Sequence, residues 1–140
     1  MRNYLSKISG PLLDRIDIHV EVPAVEYREL RSGIEGENSA SIRKRVVAAR
    51  RIQTERFGRS KVSCNGHMGT RQLKKFCELD AQAETLLEQA MHELALSARA
   101  HHKILRVSRT IADLDGVPDV SVAHVSEAIQ YRNLDREMWF

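Results

Sequence analysis

The sequence predicts a mainly α-helical bundle preceded by a short segment that carries one β-strand. Three observations lead there. From residue 39 onward apolar residues recur at three- and four-residue steps, the period of a helix with one buried face. Loops rich in glycine and polar residues divide that pattern into four or five short helices, the arrangement of a compact bundle. Strict alternation of apolar and polar residues occurs in one place, I-D-I-H-V-E-V at 16–22, which ends at Pro23 and reads as a half-buried strand.

A lone strand cannot satisfy its backbone hydrogen bonds, so this one is expected to complete a sheet contributed by upstream sequence or another chain. The chain therefore reads as truncated at its N-terminus. The run R-S-G-I-E-G-E-N at 31–38 is a loop. It sets an expected boundary between an N-terminal piece, residues 1–36, and a helical domain, residues 37–140.

In the first helix Ser39 or Ser41 can cap, and Ile42, Val46, Ala49 and Phe57 form its expected buried stripe, with Arg43, Lys44, Arg50 and Arg51 mostly turned away. Gly58 ends it. A second loop, G-R-S-K-V-S-C-N-G-H-M-G, closes at Thr70, which can cap a short helix to about Leu79. Asp80 caps the next, where Ala83, Leu86, Leu87, Ala90, Met91 and Leu94 give a broad apolar face. Ser97 opens a further helix with Ile104, Val107, Ile111 and Leu114 as its stripe, stopped by D-G-V-P. The last helix starts at Ser121, buries Val122, Val125, Ala128 and Ile129, and runs out near Tyr131.

Composition restricts function. With 140 residues, 42% hydrophobic and 29% charged, the chain matches an ordinary globular domain. No apolar run approaches the roughly 20 residues that a bilayer requires, and the first residues lack a secretory signal's apolar stretch, so a cytoplasmic location without membrane contact is expected. Cys64 and Cys77 have no C-x-x-C spacing and read as reduced thiols, Cys77 on an apolar face as core. A net charge of +3 permits an anionic partner without demanding one.

Two arginines stand out. In G-P-L-L-D-R-I-D, Arg15 sits between an apolar pair and the strand, where a planar, permanently charged guanidinium would be rigidly aimed and able to bond two phosphate oxygens. Spacing alone favours a plainer account, a surface ion pair of Arg15 with Asp14 or Asp17. In L-S-A-R-A-H-H-K-I-L-R-V-S-R-T, Arg99, His102, Arg106 and Arg109 are expected opposite the apolar stripe. A solvated face would explain them. Yet Arg99 lies in the first turn, where the helix dipole disfavours a cation, and an anion shared with the free backbone N–H groups would account for it.

Other chemistry finds less support. The histidines and cysteines match no zinc-ligand doublets, so no metal is expected. No G-x-S-x-G occurs, and the absence of G-x-x-x-x-G-K-[ST] and of an apolar strand ending in paired acids means this chain alone cannot assemble an ATPase site. Arg43, Lys44, Arg50, Arg51 and Arg56 on the 42–57 helix are candidate DNA contacts, although Glu37 and Glu55 interrupt the charge and helical solvation explains the run about as well. A stand-alone helical DNA-binding module is thus an alternative reading.

Taken together, Y-L-S-K-I-S-G-P-L-L-D-R-I-D-I-H-V-E-V, then L-S-A-R-A-H-H-K-I-L-R-V-S-R-T-I-A-D-L, then H-V-S-E-A-I-Q-Y-R resemble the C-terminal portion of magnesium-chelatase-like AAA+ proteins, within them the ComM (YifB) group. The resemblance spans nearly the whole chain, in order. It implies a lid-type helical bundle attached to the end of an ATPase core, in a ring, expected to be a homohexamer, that uses ATP and Mg²⁺. Neither is expected on this piece, which should be inactive alone. Arg15 matches the arginine finger that reaches the γ-phosphate held by a neighbouring subunit, and Arg99 matches the sensor-2 arginine of the lid. Members of the group are associated with natural transformation and branch migration of DNA, and chelatase relatives with magnesium insertion into a porphyrin. The family often has tyrosine and aspartate where this chain has His101 and His102.

Overall fold

The computed structural model describes residues 12, 14–25, 27, 31 and 36–132. Five α-helices follow in order: α1 Ser39–Phe57, α2 Thr70–Phe76, α3 Ala81–Glu93, α4 Ala98–Leu114 and α5 Val122–Gln130, with a 3₁₀ turn, Asn65–His67, between α1 and α2. The mainly helical fold read from the sequence is the fold observed. Leu79 and Val120 form an isolated parallel bridge that ties the start of α3 to the start of α5.

Local chemistry sets most boundaries. The Ser97 hydroxyl accepts from the Ala100 N–H at 3.1 Å and the Asp80 carboxylate from the Ala83 N–H at 2.7 Å, so both N-caps stand where expected. At α1 the cap is Asn38, whose side chain accepts from the Ser41 N–H at 2.9 Å, rather than either serine. Gly69 occupies the cap position of α2, and that helix stops at Phe76, short of Leu79. α4 ends in a left-handed Gly116 at φ 71°, with the Val117 N–H returned to the Ala112 carbonyl at 3.0 Å, the paired-bond termination that glycine favours.

α4 is the central helix. α5, α1, α2 and the 3₁₀ turn all pack on it, and α3 closes against α5. The core gathers Phe57, Met68, Leu73, Leu87, Ile104, Ile111, Val125 and Ala128. Because neighbours surround α4, the expected single stripe is only part of its burial: Ile104 and Ile111 are buried as expected, Leu114 is exposed, and Ser108, Arg109 and Asp113 are buried with them. α1 departs in the opposite sense. Its C-terminal half buries Ala49, Gln53 and Phe57 at four-residue steps, whereas Ile42 and Val46 stay exposed because no described element covers that end.

Residues 16–22 form no strand. His19 is buried, and its N–H donates to the Tyr131 carbonyl at 2.9 Å, while Ile16, Ile18, Val20 and Val22 are exposed. The apolar side of the alternation is therefore the uncovered side, as follows when no described residue supplies a pairing strand. No helix among the described residues is long and apolar enough to cross a membrane.

Candidate phosphate-binding site

Arg15, Asp17, Arg99, His102, Lys103 and Arg106 line an open cleft of about 450 Å³. Four of these come from α4 at positions 99, 102, 103 and 106, steps that place them along one side of a helix. The other two arrive on the segment 14–19, which lies across the N-terminal half of α4. The structure thus brings together Arg15 and Arg99, two arginines 84 positions apart in the chain.

Each cation is held differently. Arg15 follows a turn in which its own N–H donates to the Leu12 carbonyl at 3.0 Å, and its exposed guanidinium has no ion pair among the described residues. Arg99 is 63% exposed along its side chain and donates from Nη1 to Asp14 Oδ2 at 2.6 Å. The other oxygen, Asp14 Oδ1, accepts from the Ser97 hydroxyl at 3.1 Å. Lys103 is only 5% exposed and pairs with the exposed Asp17 through Nζ–Oδ1 at 3.0 Å. Arg106 forks onto the Met68 carbonyl, at 3.0 Å from Nε and 2.6 Å from Nη2.

These contacts overturn the plain account of the turn. Asp14 and Asp17 do not pair with Arg15; they reach across to α4 and neutralise Arg99 and Lys103. Burial pushes the Asp14 carboxyl up, but the hydrogen bonds from Arg99 and Ser97 outweigh it and hold the group below its ordinary value of 3.8. Asp14 also explains how a cation is tolerated in the first turn of α4: the carboxylate beside it opposes the unfavourable dipole. Next to Arg99, burial and the neighbouring His102 lower the pKa of His101, so that ring is uncharged near neutrality. Within the cleft, three arginines and a lysine face one lining carboxylate, an arrangement suited to several oxygens of a multiply charged anion.

Not every arginine expected on the solvated face is there. Arg109 is buried, bonding Asp113 at 3.1 Å and the carbonyls of Val117 and Pro118. Arg56, a candidate DNA contact by sequence, also turns inward. It forms a two-pronged pair with Asp113, one bond being Nη1–Oδ2 at 2.7 Å, and Asn65 Nδ2 donates to the same carboxylate at 2.8 Å. This buried cluster ties α1 and the 3₁₀ turn to α4. Arg43, Lys44, Arg50 and Arg51 remain exposed on α1, outside the lining of the cleft.

Sequence reasoning passed over Lys103 and the cross-chain role of Asp14 and Asp17. The available signal was spacing: lysine stands four residues after Arg99, and two aspartates bracket Arg15, opposite charge on two segments. Ser121, His124 and Asp115 form a chain of contacts at 3.2 Å and 3.2 Å that superficially suggests a hydrolase triad. Its imidazole Nδ1 already accepts the Ser121 N–H at 2.9 Å, which makes the group a helix cap. No group of three or more potential ligands is placed to hold a metal ion among the described residues.

The class of protein is thus a small helical bundle whose central helix carries a cationic cleft. The chain belongs to the magnesium chelatase, subunit ChlI C-terminal family, whose family model matches residues 36–132; that of magnesium chelatase, subunit ChlI matches residues 1–30. It is 41% identical over 134 residues to competence protein ComM of Haemophilus influenzae and 37% identical over 134 residues to the uncharacterized protein YifB of Escherichia coli. It is also 31% identical over 131 residues to the uncharacterized protein Rv2897c of Mycobacterium tuberculosis. These alignments cover 95%, 95% and 94% of this chain and 26% of each relative, so the chain spans about a quarter of their length.

Proposed function

We propose that this chain is the C-terminal lid, with the end of the core attached, of a ComM-type AAA+ ATPase, and that its cleft receives the phosphates of ATP. The observation that carries the reading is that Arg15 and Arg99 line one cleft. Arg15 is the arginine finger and Arg99 the sensor-2 arginine. Both neutralise charge developing on the transferred phosphoryl group, a role for which guanidinium is suited because it stays charged and bonds two oxygens at once.

In this reading the phosphate loop and the Mg²⁺ ligands lie in sequence beyond this chain, and the nucleotide belongs to a neighbouring subunit of a homohexamer. Arg15 and Arg99 sit on one body and so act on the same nucleotide. The energy of hydrolysis drives DNA remodelling, including branch migration during natural transformation. The name of the Haemophilus relative, competence protein, agrees with that assignment.

The test is ATP turnover by the longer protein, with and without branched DNA, for wild type, Arg15→Ala and Arg99→Ala. A loss of about 10²-fold or more in Arg15→Ala is expected, the scale at which removed arginine fingers act. Unchanged turnover in both variants defeats the proposal. A second reading, a helical DNA-binding module that needs no nucleotide, draws on the exposed Arg43, Lys44, Arg50 and Arg51. It requires DNA binding by this chain that reversing those four charges abolishes and that Arg15→Ala and Arg99→Ala leave intact.

A further inference from the structure

We propose that Asp14 and Asp17 are internal stand-ins for phosphate, which hold Arg99 and Lys103 until a polyphosphate displaces them. This rests on the reading of the cleft as a phosphate site and adds to it a third binding cation, Lys103, and a competition built into the finger turn.

The argument starts from charge. A lysine side chain as buried as Lys103 requires a partner, because an uncompensated cation out of water is costly. Its partner, Asp17, is 62% exposed and lies in the same segment as the finger. Arg99 has the same arrangement one turn earlier, with Asp14 taking Nη1 at 2.6 Å and bonding Ser97 with its second oxygen. Two carboxylates on one short segment therefore occupy two cations on one helix, both at the edge of the cleft.

A carboxylate and a phosphate compete for the same donors. Both present oxygens in a plane that fits guanidinium, and the phosphate carries more charge. Arg99 and Lys103 cannot give their full donor sets to a polyphosphate while the aspartates hold them. Binding thus frees Asp14 and Asp17 from α4, while Arg15, which lines the same cleft, turns onto the anion that Arg99 and Lys103 now hold. Arg106, fixed on the Met68 carbonyl, stays in place and supplies the standing attraction.

Isothermal titration of the 140-residue chain with inorganic triphosphate at low salt tests this, using wild type, Asp14→Asn/Asp17→Asn, Arg99→Ala and Lys103→Gln. Removing the competing carboxylates should tighten binding about fivefold, the scale of one to two partly exposed ion pairs. Arg99→Ala and Lys103→Gln should each weaken it about fivefold or more. An unchanged helical circular dichroism spectrum and melting curve shows that each variant keeps the bundle.

If the double asparagine variant binds no tighter than wild type while Arg99→Ala still weakens binding, the stand-in role is wrong and the phosphate cleft survives. If Lys103→Gln alone has no effect, Lys103 is not a binding group and the proposal fails in that part. If Arg99→Ala binds as wild type does, or nothing binds in any variant, the cleft is not a phosphate site, and the proposal falls with the reading beneath it.

Discussion

Replacing Asp113 by alanine should be among the most damaging single changes available to this fold. Its carboxylate is fully buried and is shared by Arg56, Arg109 and Asn65, drawn from α1, α4 and the 3₁₀ turn. Arg56 is 12% exposed and Arg109 3% along their side chains, so Asp113→Ala leaves two buried guanidinium groups without their counter-charge. Breaking a buried pair from one side costs about 3–5 kcal/mol. Arg109 keeps its bonds to the Val117 and Pro118 carbonyls, which places the loss toward the lower end of that range. For a domain near 100 residues each kcal/mol moves the melting temperature by roughly 4 °C or more, so a fall of about 12 °C or more is expected. Thermal melting followed at 222 nm reads it directly. A decrease of less than about 3 °C would refute the claim that this cluster is what fastens α1 to the central helix.

Three further outcomes follow from particular positions. Ala95 holds a left-handed φ of 47° after α3, with the Leu96 N–H returned to the Met91 carbonyl at 3.1 Å, the position glycine prefers; Ala95→Gly should stabilise the chain by about 0.5–1 kcal/mol in urea unfolding. Burial pushes the Cys77 thiol up to about 11, so a disulfide reagent at pH 8 should label the half-buried Cys64 in the folded chain and Cys77 only after unfolding. The Asp14 carboxyl is depressed in the folded state, so its contribution to docking the 14–19 segment is fully present above its ordinary value of 3.8 and is lost as pH falls through the lower folded value. A titration of its carboxyl carbon by NMR should show that depressed midpoint, and Arg99→Ala should return it toward 3.8.

The helices were legible because their signals are local. Asp80 and Ser97 cap where a short polar side chain can reach a backbone N–H three residues on, and D-G-V-P stops α4 by conformational preference alone. What was not legible depended on position in the bundle. Periodicity cannot tell that α4 is covered by several neighbours, so Arg109 reads as part of a solvated face although it is buried and paired with Asp113. Nor can it tell that the first turns of α1 lie uncovered, which leaves Ile42 and Val46 exposed. The strand at 16–22 failed for a related reason, since alternation records a preference for a sheet that no described residue supplies.

For the candidate site, the sequence pointed to Arg15 and Arg99 separately, each beside a plainer explanation. Only the fold shows that Asp14 belongs to Arg99 rather than to Arg15, because that contact joins residues 85 positions apart. Lys103 escaped notice because a lysine within a basic run reads as solvated; its burial against the 14–19 segment is a tertiary fact.

The shared cleft makes one claim that a single kinetic experiment can decide: Arg15 and Arg99 serve the same phosphoryl group. In the longer protein proposed to carry this chain, ATP turnover should be measured for Arg15→Ala, Arg99→Ala and the double variant. Groups that act together on one transition state are strongly non-additive, so the double variant should be no more than about threefold slower than the worse single variant. Losses that multiply in full would place the two arginines at independent tasks and contradict the account.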